Sequence, residues 1–224
     1  KATGSIRVDG SELLDAAPQV QARYVAYMPQ SLPQRVALTV YEGMLAALNA
    51  SGAQRRGMPD RDVVGRTLAR LGIAELAMRP LDRLSGGQRQ LASLAQALVR
   101  DPSVLLLDEP TSALDLRHQM TVMSTVAEVA DERSIAAVVV LHDIALACRW
   151  CSRIVVLADG RVVADGPPEE AITPATLARV YGVQARVERC SRGHMQIIAD
   201  APLPPAAGAD GPRQPDPCLQ HSLS

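Results

Sequence analysis

Two short apolar runs with a helix between them constrain this chain most. Val104-Leu105-Leu106-Leu107 leads into Asp108-Glu109-Pro110, and Ile135 to Leu141 forms a second uninterrupted run. Neither run alternates apolar with polar residues, which is the pattern of a strand buried on both faces of a parallel sheet. A helix is expected between them, beginning after Asp115. Strand, helix, parallel strand is the unit of an α/β sheet covered by helices on both faces. Ligands in such sheets bind beyond the carboxyl ends of the strands. Asp108 and Glu109 end the first run and His142 follows the second, so all three are expected on one rim.

Those residue types suit phosphate chemistry. One carboxylate of the pair can hold Mg²⁺, which keeps much of its water. The adjacent carboxylate can polarise a water for attack on phosphorus. His142 can hydrogen-bond a phosphate oxygen. Sixteen residues before Val104, Leu84-Ser85-Gly86-Gly87-Gln88 comes to its end. Its two glycines permit close backbone approach to a ligand, and the helix that follows presents unpaired N–H groups and a positive dipole end. Ser85 with Gln88 three residues on is equally an ordinary capping box. Both readings stand at this level.

The rest of the chain supports an α/β organisation. Ile6 and Val8 alternate with polar residues before an Asp9-Gly10 turn, and Tyr24 to Met28 reads as a strand broken by Pro29, leaving Gln30 in the loop at its end. Residues 31–83 turn helical. Thr39 and Glu42 form a capping box before Met44, Leu45 and Leu48, and Asp60 is expected to cap a second helix that stops at Gly72, with a polar loop over Ser51 to Pro59. Leu91, Leu94, Ala95 and Leu98 mark an amphipathic helix after Ser85, and Asp101-Pro102 ends it. Ile154 to Ala164 around Asp159-Gly160 reads as a hairpin, and Thr173-Pro174 opens a helix that stops at Gly182. From Asp200 onward Pro, Ala and Gly dominate, and a disordered tail over 200–224 is expected.

Composition narrows the classes. With 224 residues the chain has room for one large domain and a subdomain, and with no Phe its core must be built from Leu, Val, Ile and Ala. A formal net charge of -1 gives no broad reason to bind nucleic acid or anionic lipid. No stretch reads as a signal peptide or a bilayer span, so any membrane role is expected to run through a partner. Cys148 and Cys151 form a C-x-x-C match without the second pair or histidines of a metal site, and with Cys190 and Cys218 they fit a reduced, cytosolic compartment. The first residue is Lys1, so the N-terminus is expected not to be a natural start.

Gln30 after a strand, Leu84 to Gln88, the apolar strand into Asp108-Glu109-Pro110, Thr111-Ser112-Ala113-Leu114-Asp115 and then His142 follow the order of an ABC transporter ATPase subunit. The chain resembles that family strongly over about Ile6 to Ala164 and more weakly to about Ile198. Val25 to Gln30, Asp115 to Gln119 and Val140 to Asp143 look most like the ATPases of iron-siderophore importers, with haem and cobalamin importers closely similar. The resemblance implies an α/β P-loop NTPase-type core with a mostly parallel sheet, flanking helices and an α-helical subdomain. The corresponding segments are 1–30 as the partial start of the core, 31–83 as the helical subdomain, 84–165 as the core with its motifs, and 166–199 as a C-terminal extension.

The same resemblance implies residue roles. Gln30 would contact Mg²⁺ or its water and signal to the membrane subunit. Ser85, Gly86, Gly87 and Gln88 would be the signature, binding the γ-phosphate of ATP held by the opposite subunit. Asp108 would be the metal-binding Walker B aspartate, Glu109 the catalytic glutamate and His142 the switch histidine. Asp115 would close the D-loop at the dimer interface. ATP and Mg²⁺ are the implied cofactors. Transmembrane permeases and a second head, identical or paired, are the implied partners, with a substrate-binding protein engaged indirectly. The implied location is the cytoplasmic face of the inner membrane.

The sequence departs from the family in one respect: G-x-x-x-x-G-K-[ST] occurs nowhere in it. The loop's backbone and Lys supply most triphosphate binding, so the 224 residues alone are expected not to hydrolyse ATP. A truncated, incompetent head is the alternative reading, and chromosome-maintenance or ribosome-associated ABC ATPases are the other classes. The 53 residues from Ser31 to Arg83 hold no sustained heptads, and the chain holds no internal repeat, which argues against both.

Overall fold

The computed structural model describes residues 3–30, 37–50 and 58–204. These form two compact units, 1–143 and 144–224. The boundary follows Asp143, inside the segment 84–165 that the sequence reading treats as one core.

The first unit opens with a two-residue pair, β1 (Arg7–Val8) and β2 (Ser11–Glu12), joined by the expected turn with Asp9 and Gly10 both at positive φ. Helix α1 (Pro18–Tyr24), which the sequence reading missed, runs straight into β3 (Val25–Met28), so Tyr24 ends a helix instead of starting the strand. Helices α2 (Val40–Ala50) and α3 (Asp60–Arg70) follow. The capping box at α2 forms as expected, with the Thr39 amide donating to Glu42 at 2.8 Å and the Glu42 amide to Thr39 Oγ1 at 3.2 Å. At α3 the cap residue is Pro59 and Asp60 is already helical; Pro59 pre-sets its own φ near -58°, which suits that entry. Gly72 stops it in the left-handed region. Residues 31–36 and 51–57, including most of the expected polar loop, lie outside the described residues.

Helix α4 (Gly86–Leu98) is the centre of the core. Leu91, Ala92, Leu94, Ala95 and Leu98 are all buried, and each fully buried Leu contributes about 2 kcal/mol through the apolar area it removes from water. Strands β4 (Val104–Asp108) and β5 (Ala136–Val140) follow, separated by α5 (Leu116–Arg133). The three long strands form one parallel sheet in the order β3-β4-β5, with Met28 opposite Leu107 and Asp108 opposite Val140.

The expectation of a sheet covered on both faces is not met at β5. Ala137 and Val139 pack against the core, whereas Val138 and Val140 on the other face are 55% and 51% exposed. Arg70 fastens α3 to α5, donating to Glu132 at 2.9 Å and to Glu128 at 3.0 Å.

The second unit contains α6 (Ile144–Trp150), the hairpin β6 (Ile154–Ala158) and β7 (Arg161–Gly166), α7 (Pro168–Ala171), α8 (Pro174–Tyr181), and the hairpin β8 (Val183–Arg189) and β9 (Met195–Pro202). Asp159 and Gly160 make the expected turn, and Thr173 caps α8 by accepting the Thr176 amide at 3.1 Å. Its own core is Val156, Ile172, Leu177 and Ala185, with Ile144 and Cys148 of α6 packed on it. That packing draws α6 into this unit and explains the boundary at Asp143. Cys148 and Cys151 are half-buried, and burial raises the Cys151 pKa. Strand β9 continues to Pro202, beyond the Asp200 at which composition turns tail-like. Residues 205–224, with Cys218, lie outside the described residues.

Candidate functional site

The parallel register assembles the site. Gln30 stands two residues past Met28, Glu109 two past Leu107, and His142 two past Val140, so the three strands deliver them to one rim. There they meet on one carboxylate. Gln30 Nε2 donates to Glu109 Oε2 at 2.8 Å, and His142 Nε2 lies 2.5 Å from Glu109 Oε1. The Glu109 side chain is 17% exposed and that of His142 80%, so the carboxylate is sheltered while its histidine partner faces solvent.

Glu109 sits at φ 49°, a region a non-glycine residue enters only at a cost in strain. Its amide donates to the Val140 carbonyl at 3.1 Å, and its own carbonyl accepts from the Ser112 amide at 3.3 Å. This backbone turn directs successive carboxylates apart. Asp108 instead meets Tyr27, whose hydroxyl donates to Asp108 Oδ2 at 3.2 Å. Tyr27 escaped the sequence reading; its position one residue before Met28, on the opposite face of β3, is the signal that could have found it.

The signature segment forms the capping box that the sequence left as one of two readings. The Gln88 amide donates to Ser85 Oγ at 3.3 Å and the Ser85 amide to Gln88 Oε1 at 3.2 Å. Ser85 and Gly86 remain exposed at the positive end of α4, so the cap leaves that end accessible to an anion. Gly87 has a second reason to lack a side chain: a Cβ there would lie 3.1 Å from the Ala113 carbonyl oxygen and 3.2 Å from Leu114 Cδ2. The helix start therefore abuts the turn at residues 111–114 directly.

Asp115 is the N-cap of α5. Its Oδ1 accepts the His118 amide at 2.9 Å and lies 2.8 Å from His118 Nδ1, which together hold its carboxyl below the usual range, the backbone bond first. The structure thus brings Gln30, Glu109 and His142 into contact, and ties Asp115 to its own helix.

Comparison with known proteins decides the family. The profile described as ABC transporter matches residues 1–112. A hemin import ATP-binding protein of Bordetella avium is 38% identical over 82% of this chain and 73% of its own length. The chain belongs to the ABC transporter family. A ferric enterobactin transport ATP-binding protein of Escherichia coli is 33% identical, over 83% of this chain and 69% of its own. Among solved structures, the dimeric post-hydrolysis ATP-binding cassette MJ0796 bound to ADP and Pi is 26% identical. It superimposes with a TM-score of 0.66 over 74% of each chain. The α/β fold with its parallel sheet is thus that of an ABC ATPase, and the family's nucleotide is ATP.

Proposed function

We propose that this ABC ATPase drives import of a metal chelate of the iron-siderophore type through partner permeases at the cytoplasmic face of the membrane. The observation that carries the ATPase part of the reading is the Glu109 carboxylate held between Gln30 and His142, and the cargo part rests on likeness to metal-chelate import relatives. A carboxylate so held can accept a proton from an attacking water, while Gln30 and His142 fix its orientation. His142, largely exposed, can turn to a phosphate oxygen once a nucleotide occupies the rim.

The residues fit Mg²⁺ arriving with a nucleotide. Among the described residues no group of three His, Cys, Asp or Glu converges as a protein cage. Mg²⁺ instead favours one or two carboxylates completed by water and phosphate oxygens; Asp108 would supply the carboxylate and Gln30 would reach the ion or its water. The bound ion would neutralise charge on the transferring phosphoryl group. The accessible signature end of α4 fits the γ-phosphate of a nucleotide held by a second head. Helices α2 and α3 would face the permeases. No described helix is long and apolar enough to cross a membrane.

Haem is the second cargo reading, favoured by hemin-import relatives at 38% and 40% identity against 33% for the ferric enterobactin relative. A cobalamin import relative is 34% identical. Uptake by the assembled transporter of labelled ferric siderophore, haem and cobalamin tests the cargo. ATP-dependent uptake of the ferric siderophore supports the proposal. Uptake of haem or cobalamin alone reassigns the cargo, and uptake without ATP consumption removes the function.

A further inference from the structure

Gln90 lies on the buried side of α4, two residues beyond the signature, and is only 6% exposed. A buried amide must satisfy its donors and acceptor inside the protein. Gln90 does so entirely on the turn that carries Glu109. Its Nε2 donates to the Glu109 carbonyl at 2.6 Å and lies 3.2 Å from Ser112 Oγ, and its Oε1 accepts the Ala113 amide at 3.1 Å. The turn needs such support, because Glu109 at φ 49° is strained and strain persists only where the surroundings over-determine it. Gly87 of α4 also lies close against Ala113 and Leu114 of this turn.

We propose that Gln90 is a positioning residue that locks the signature helix to the Glu109–Ala113 turn, so that displacement of the signature by a bound phosphate moves the backbone holding the catalytic carboxylate. The amide reaches both ends of the turn at once, which neither a shorter nor an apolar side chain can do. The kinetic part of the inference rests on the proposed ATPase reading; the structural part does not.

The test uses two variants. Gln90→Met removes every bond at similar volume. Gln90→Glu keeps an acceptor for the Ala113 amide and replaces the donor to the Glu109 carbonyl with a carboxylate oxygen. Amide hydrogen exchange is read on the 224-residue chain without nucleotide. The expected result is exchange at Ala113 faster by about tenfold or more in Gln90→Met, with Ala113 still protected in Gln90→Glu. In the assembled transporter, both variants are expected to lower kcat by about tenfold or more with KM for ATP little changed. Unchanged Ala113 protection in Gln90→Met overturns the lock. If Gln90→Met does not fold, Gln90→Glu decides: normal kcat there overturns the proposal. A wild-type transporter without ATP turnover removes the ATPase reading, while the exchange result still decides the lock.

Discussion

His142 Nε2 lies 2.5 Å from Glu109 Oε1, and the two residues reach each other from the ends of adjacent parallel strands. The contact couples a sheltered carboxylate to an exposed imidazole. With the Gln30 amide on the other oxygen, it leaves Glu109 little freedom to point elsewhere.

Replacing Glu109 by Gln keeps the shape of that arrangement and removes the proposed base. In the assembled transporter, Glu109→Gln is expected to retain ATP binding and to lower turnover by about 10²–10⁴-fold. Steady-state hydrolysis together with equilibrium nucleotide binding checks this. Normal turnover would remove Glu109 from the role of base.

The two signature glycines are expected to respond oppositely to alanine. A Cβ on Gly86 would meet only Ala113 Cβ at 3.8 Å, an ordinary contact, so Gly86→Ala, at the first position of the helix, should stabilise it slightly. A Cβ on Gly87 is crowded by a backbone oxygen at 3.1 Å, and Gly87→Ala should destabilise by about 1–3 kcal/mol. Urea unfolding of the two variants gives the comparison. Equal effects of the same sign would contradict the packing described for α4.

Much of this site was legible before any coordinates. The order and spacing of Asp108, Glu109 and His142 were enough to place them on one rim, because parallel strands deliver their carboxyl ends to the same side, whereas Gln30 was legible only as a residue in the loop ending a strand. The Asp9-Gly10 and Asp159-Gly160 turns and the Thr39 and Thr173 caps were equally legible, since each depends on local chemistry alone. Tyr27 and Gln90 were not. Their contacts span 81 and 19 residues of chain respectively, and depend on register and on which face of an element is buried. The unit boundary at Asp143 was hidden for a similar reason: the side chains that claim α6 lie on elements far downstream.

The α5 cap carries a pH dependence of definite sign. Asp115 has its carboxyl held below the usual range by the His118 amide and ring. A lowered folded-state pKa means that the cap stabilises fully above the unfolded carboxyl value of about 3.9. The contribution is lost as pH falls through the lower folded value. Asp115→Asn caps without a charge, so its stability is expected to vary less with pH below about 4. Acid unfolding followed by circular dichroism compares the two proteins, and identical acid profiles would refute the assignment.

For the 224 residues alone, Mg-ATP binding is expected to be weaker than micromolar, because no G-x-x-x-x-G-K-[ST] occurs among them to cradle the triphosphate. Titration calorimetry measures it directly. Micromolar affinity would mean that other residues supply the cradle.

Strand β5 has one further consequence. Its second edge pairs with no strand among the described residues, and Ala136 to Val140 includes neither a charge nor a proline to discourage one. Proteins normally guard such edges, since unpaired backbone groups beside apolar side chains template the addition of another strand. Molecules of this chain held at high concentration will therefore tend to zip together edge to edge.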